Sequence, residues 1–249
     1  VVLSADYNKG LEAYKSGDYS TALREWKPLA EQGDDDAQFW LGWMYRKGLG
    51  VPQDNKTAVK WYTLSAEQGD VHSQFNLGWL YDRGSVPPDF KSALKWYKLA
   101  AEQGNIGAQN NLGLLYLNGQ GTPKDYKNAL KWTTLAAEQG NYDAQTTLGF
   151  MYRNGYGVTQ NNQTALKWYR SSAENGMSNS QYNLGLMYKN GWGVIQDNIY
   201  AHMWFNIAAS QGDEEGAERR DSLAKKMTSA DISQAQKLAR ECVAKNYKG

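Results

Sequence analysis

The chain has 249 residues, 27 of them basic and 26 acidic, for a net charge of +1. That balance argues against the basic footprint of a nucleic-acid or anionic-membrane binder, and no apolar run approaches the roughly 18 residues that a membrane span needs. Mean hydropathy is −0.72, yet aromatic residues make up 13 % of the chain, too many for a disordered one.

Val and Ile are scarce while Ala, Leu, Trp and Tyr abound, which favours helices over strands. The single cysteine, Cys242, forbids an internal disulfide and leaves the redox compartment unread. It reads as a small buried hydrophobe on the last helix. The two histidines, His72 and His202, are isolated in sequence, so no metal site and no cofactor is expected.

In chain order, "VVLSADYNKG" comes first. A short apolar piece ending in Ser4 and Ala5 fits the tail of a cleaved export signal, and equally an ordinary start of the first helix. On the first alternative the protein is bacterial and periplasmic or secreted; on the second it is cytoplasmic. "EQG" or a near copy then ends at Gly33, Gly69, Gly104, Gly140, Gly176 and Gly212, at spacings of 36, 35, 36, 36 and 36. "LG" keeps the same beat at Gly42, Gly78, Gly113, Gly149 and Gly185, as does tryptophan at Trp61, Trp96, Trp132, Trp168 and Trp204. A fixed period of this length signals a repeat architecture.

Each unit reads as two helices. In "AQFWLGWMYRKG", Ala37, Leu41, Met44 and Tyr45 share one face, and Gly48 sits where a left-handed cap belongs. A loop follows, with Asp54 or Asn55 as N-cap of the second helix, "KTAVKWYTLSAEQG", whose stripe is Ala58, Trp61, Tyr62, Ser65 and Ala66. The recurring mid-helix glycine, Gly42 in this unit, costs about 1 kcal/mol in helix propensity against alanine. Its return implies close approach of a neighbouring helix, with Ala58, Ala93, Ala129, Ala165 and Ala201 as the matching small residues.

The pattern A-x-x-x-L-G-x-x-Y-x-x-G-x-G-V followed by A-x-K-W-Y-x-x-A-A-E-Q-G resembles the Sel-1-like repeat family, relatives of the tetratricopeptide repeat, over residues 5–212. The resemblance implies an all-α fold, a right-handed α-solenoid of about seven antiparallel helix pairs forming a single domain over 1–249. Residues 1–33 would be a tetratricopeptide-like hairpin with a short loop, 34–212 the Sel-1-like repeats, and 213–249 two capping helices, the last N-capped by Thr228 or Ser229. One loop, "RGSVPPD", is a residue short.

Catalytic motifs are weak. Ser92/Lys95 and Ser222/Lys225 have Ser-x-x-Lys spacing, but the first recurs as Thr57/Lys60, Asn128/Lys131 and Thr164/Lys167, so it belongs to the repeat. The glycine pairs such as Gly48/Gly50 lack the preceding strand and following Lys-Ser of a phosphate loop. No catalytic residue is assigned, and the chain is read as a non-enzyme.

At 100° per residue, Phe39, Trp43 and Arg46 lie about 140–200° from Leu41, on the face away from the core stripe. In helical superhelices the first helix of each pair lines the concave surface, and the resemblance implies a peptide-binding groove there. Its candidate residues are Phe39, Trp43, Arg46, Lys47, His72, Phe75, Asn76, Trp79, Arg83, Asn110, Asn111, Phe150, Arg153 and Tyr182. In the relatives, asparagine at the point of Asn76 and Asn111 holds the backbone of an extended peptide, which an amide that both donates and accepts can do. Aromatic rings suit anchors, and the density of Phe39, Trp43, Phe75 and Trp79 favours the N-terminal half. Alternatively each ring packs on the neighbouring unit and is buried.

The first expectation is therefore a protein-interaction scaffold or adaptor holding a protein or peptide, with no nucleic acid, as a monomer. Two others stand beside it: binding or hydrolysis of a cell-wall fragment or lactam, and self-association. Some cysteine-rich relatives are linked to lactams, but this chain lacks their paired cysteines.

Overall fold

The computed structural model describes residues 5–84 and 87–247. The apolar start at Val1–Ser4, and Ser85 and Val86 of the shortened loop, lie outside the described residues. Among those described there are fourteen α-helices and no strand, so the all-α expectation holds. The chain divides into two compact units, Val1–Lys124 and Asp125–Gly249.

The first unit contains α1 (Tyr7–Ser16), α2 (Tyr19–Glu31), α3 (Asp35–Lys47), α4 (Asn55–Glu67), α5 (Val71–Trp79), α6 (Phe90–Glu102) and α7 (Ile106–Asn118). A single π turn, Leu80–Gly84, continues α5 at the repeat that is one residue short. Each helix packs on its neighbours in sequence. Rings from α1 to α4 make one core around Trp26, Leu41, Met44 and Trp61, and Tyr62, Leu77, Leu80 and Trp96 make the next.

The second unit contains α8 (Tyr126–Glu138), α9 (Tyr142–Asn154), α10 (Asn162–Ala173), α11 (Ser178–Asn190), α12 (Asn198–Ser210), α13 (Glu214–Ala224) and α14 (Ser229–Ala244). Its helices also pack in sequence order, but α14 packs on α12. Thr228 caps α14 with a reciprocal capping box to Asp231, the first of the two expected cap residues. Asp54 likewise caps α4, through its side chain to the Lys56 N–H.

The repeat signature is explained by two contacts. The first is at the mid-helix glycine. A Cβ on Gly42 would lie 2.6 Å from the ring of Tyr62, and one on Gly185 2.5 Å from the ring of Phe205. Gly78 against Tyr97 and Gly149 against Tyr169 repeat the arrangement. The close approach is real, but its partner is the aromatic ring four residues beyond Ala58, Ala93, Ala165 and Ala201, not those alanines.

The second is a glutamine clamp between successive repeats, which accounts for the Q of "EQG". Gln38 donates Nε2 to Ala30 O at 3.0 Å, and its Oε1 accepts from Gln68 Nε2 at 2.9 Å. Gln74 donates to Ala66 O at 3.2 Å and accepts from Gln103 at 2.8 Å. Gln181 donates to Ala173 O at 3.2 Å and accepts from Gln211 at 2.7 Å. The clamp satisfies a buried amide at both ends, which buried polar groups require. Gln145 departs. It donates to Ala137 O at 3.2 Å, but its buried Oε1 has no partner. The residue in the donor slot is Asn175, which turns its amide to Ser171 O at 2.8 Å instead.

Candidate partner-binding face

In the first unit the predicted residues come together on α3 and α5. Arg46 lies over Trp79, its guanidinium carbon 4.1 Å from the ring centroid, and 5.5 Å from that of Trp43. The Lys47 ammonium stands 4.9 Å from the Trp43 ring. The result is a tryptophan–arginine–tryptophan stack bridging two repeats, a geometry that guanidinium favours through its planar, weakly hydrated face. Trp43 is further fixed by its Nε1, which donates to the Tyr14 hydroxyl at 2.9 Å. Phe39 packs against Tyr62 and His72, each with centroids 6.0 Å apart, and Phe75 packs against Tyr97 at 6.0 Å.

Phe39, Trp43, Arg46, Phe75 and Trp79 are all half-buried, while Lys47, His72 and Arg83 are exposed. Each ring rests partly on protein and keeps an edge in solvent, which combines the two alternatives posed by the sequence. Trp40 turns away from this face. It stacks on Trp26 at 5.2 Å and donates to the Tyr7 hydroxyl at 3.0 Å, tying α3 to the first hairpin.

Of the asparagines, Asn76 is already engaged at both ends of its amide. Asn76 is 6 % exposed, accepts from Arg46 Nη1 at Oδ1, and donates Nδ2 to His72 O at 2.8 Å. It orients the arginine. Asn110 is 8 % exposed and its Oδ1 has no partner. Asn111, Asp82, Arg83, Asn118 and Gln120 line a polar recess of about 220 Å³ beside α7. The π turn presents Asp82 here, where it accepts from the Tyr97 hydroxyl at 3.3 Å and pairs with Arg83 at 3.2 Å. Burial, with Asp82 beside it, pushes the Tyr97 hydroxyl well above its ordinary range. Burial does the same to Tyr62, against the opposing charge of Arg46.

The second unit repeats the design with different rings. Arg153 donates Nη1 to Asn183 Oδ1 at 3.2 Å and lies 5.9 Å from Phe150 and 5.4 Å from Trp192. Burial holds the Tyr169 hydroxyl beneath it pushed up to about 12. Tyr182 packs on Phe205 at 5.8 Å, and its hydroxyl meets Arg219 and Glu215 of α13. Trp192 was not singled out from sequence. Its signal was there: a large aromatic between two loop glycines, Gly191 and Gly193, in a slot held by Leu49, Gln120 and Tyr156 elsewhere.

Five copies of the Sel1 repeat profile match the chain at residues 35–70, 71–105, 106–141, 143–177 and 178–213. The chain belongs to the Sel1 repeat family. Among solved structures, c5321, described as a protective antigen of uropathogenic Escherichia coli with this repeat fold, is 34 % identical with a TM-score of 0.84, covering 95 % of this chain and 53 % of its own length. A Sel1 repeat protein from Oxalobacter formigenes is 32 % identical with a TM-score of 0.82, covering 95 % of this chain and 99 % of its own. A Sel1 repeat protein from Klebsiella pneumoniae reaches a TM-score of 0.50 at 24 % identity, covering 80 % of this chain and 97 % of its own. The chain thus spans about half the length of the Escherichia coli antigen. No curated protein matches it.

Sel1 repeat proteins generally mediate protein–protein interaction, and the scaffold is generally non-catalytic. Among the described residues no group of three His, Cys, Asp or Glu side chains is placed to hold a metal ion, and no helix is long and apolar enough to cross a membrane.

Proposed function

We propose that this Sel1 repeat protein is a non-enzymatic scaffold that holds a peptide or protein partner on the first-helix face of its N-terminal unit. The observation that carries this reading is the Trp43–Arg46–Trp79 stack with Lys47 beside it. Half-buried aromatics and a pre-oriented arginine are the residue types that dominate binding energy at interfaces. Asn76 holds Arg46 in place, so little rotamer freedom is lost on binding. On this reading Arg46, Lys47, Arg83 and the ring edges of Phe39, Trp43, Phe75 and Trp79 make the contacts. His72, Asn110 and Asn111 flank them, and Phe150, Arg153 and Tyr182 form a second cluster in the other unit.

The test is affinity capture with wild type against Trp43→Ala/Trp79→Ala, each checked for helicity and melting temperature. Partners bound by wild type and lost from a folded double variant, with an independent loss in Arg46→Ala, are the expected result. Retention of every partner by the folded variants refutes the assignment. Loss of a wild-type dimer in the same variants, seen by light scattering, would instead make the face a self-association surface.

A further inference from the structure

Away from the stack, α10, α11, α12 and α14 enclose a cleft of about 350 Å³ within the second unit. Its apolar lining is Met203, Trp204, Leu238 and Cys242, and Tyr188 and Tyr200 stack beside it with centroids 5.3 Å apart. Four charged groups, Arg170, Glu174, Glu241 and Lys245, line the same cleft. Their formal charges cancel. Among the described residues neither cation forms an ion pair with either carboxylate, although all four share one small space.

Arg170 is held by its Nη2, which donates to the Tyr188 hydroxyl at 3.0 Å, leaving its other donors uncommitted among the described residues. Glu174 and Lys245 both lie near enough to the Cys242 thiol to act on it in opposite directions, Glu174 raising its pKa and Lys245 lowering it. The tryptophan also differs from its counterparts. Lys60, Lys95 and Lys131 each ride on the ring of the tryptophan that follows, at 4.5–5.2 Å. Before Trp204 that slot holds Met203, so the repeat's own cation is replaced by an apolar side chain in the cleft lining.

Two cations and two carboxylates that do not pair with one another, Glu241 meeting only Lys237 of its own helix at 3.9 Å, over an apolar floor suit a ligand that carries both signs itself. We infer that this cleft binds a small zwitterion of the amino-acid or dipeptide class. Its carboxylate meets Arg170 and Lys245, its ammonium meets Glu174 and Glu241, and its apolar side chain lies on Met203, Trp204 and Leu238. The volume is in the lower part of the range for small-molecule sites, about 300–1,000 Å³. This site is independent of the partner-binding face.

The sole cysteine supplies the readout, because Cys242 lines the cleft and is 7 % exposed. The rate of its modification by an aromatic disulfide reagent is followed on the full chain, with and without alanyl-leucine at millimolar concentration, alongside calorimetric titration. The expected result is that alanyl-leucine binds and slows modification, while N-acetyl-alanyl-leucine and alanyl-leucinamide bind at least about tenfold more weakly. Arg170→Gln and Glu174→Gln, with melting temperatures close to wild type, should lose binding to a similar degree. Trp43→Ala/Trp79→Ala should bind alanyl-leucine as wild type does, which separates this site from the partner-binding face. No binding of alanyl-leucine, or equal protection by the free and blocked dipeptides, overturns the inference.

Discussion

Gln145 donates to Ala137 O at 3.2 Å, while its own oxygen is buried without a donor. Three counterparts, Gln38, Gln74 and Gln181, receive that bond from a glutamine 29 or 30 residues later. Asn175 occupies the slot here and is one methylene too short. Asn175→Gln should supply the missing donor and stabilise the chain by about 0.5–1.5 kcal/mol, read as a higher urea midpoint at unchanged slope. The tight glycines predict the opposite sign. Gly78→Ala gains about 1 kcal/mol of helix propensity, but its Cβ would run into the Tyr97 ring. Overpacking of this kind costs roughly 1–3 kcal/mol, so a net loss of stability is expected by the same measurement. The glycine's need was legible in its recurrence, but the alanines offered as its partners were wrong. Residue spacing gives a helix face, and only the packed coordinates tell which side chain on that face fills the gap.

Among the elements, helix ends were the most legible feature. Asp54 caps α4 and Thr228 caps α14, because a side-chain oxygen satisfies free N–H groups wherever a helix begins. Harder to read was α12, which lies between α11, α13 and α14 and buries His202 to 2 % exposure with Nδ1 unpartnered. Burial holds this imidazole below its ordinary value of 6.5, with Arg220 adding to the effect and Asp221 opposing it. A base with a lowered folded pKa takes up a proton more readily in the unfolded chain, so stability is full above the ordinary value and falls as pH drops below it. Melting temperature should therefore decline from about pH 7 toward pH 5, and His202→Gln should flatten that decline. The cap carboxylates do not contribute there: hydrogen bonds from Thr57 and Ser92 hold Asp54 and Asp89 below their ordinary 3.8, so stability from them is lost only at lower pH. A persistent slope in His202→Gln would show that another group titrates.

At the scale of the molecule, each repeat contacts chiefly its neighbours, as the sequence-order packing of both units shows. Stability in such arrays is close to a sum of repeat and neighbour contributions. Asn175→Gln and Gly78→Ala lie in separate repeats with no shared partner, so the double variant should equal the sum of the singles within about 0.5 kcal/mol. A larger departure would mean that distant repeats respond as one body. The sequence by itself determined the helical hairpin, its period, its caps and the family, because those follow from local rules repeated along the chain: a helix stripe, a stop glycine, a capping side chain. It also marked the aromatic face, since Phe39, Trp43 and Trp79 break the repeat's own pattern. Tertiary structure decided what those residues do to each other. Arg46 finds Trp79 and Asn76 some thirty residues away, and Asn76 accepts a hydrogen bond from it. It also decided that α14 lies against α12 and closes a charged cleft with α10. The arginine–asparagine contact recurs as Arg153 to Asn183, yet residue spacing shows only a shared helix face; like the cleft, the contact depends on which side chains the packing brings within reach.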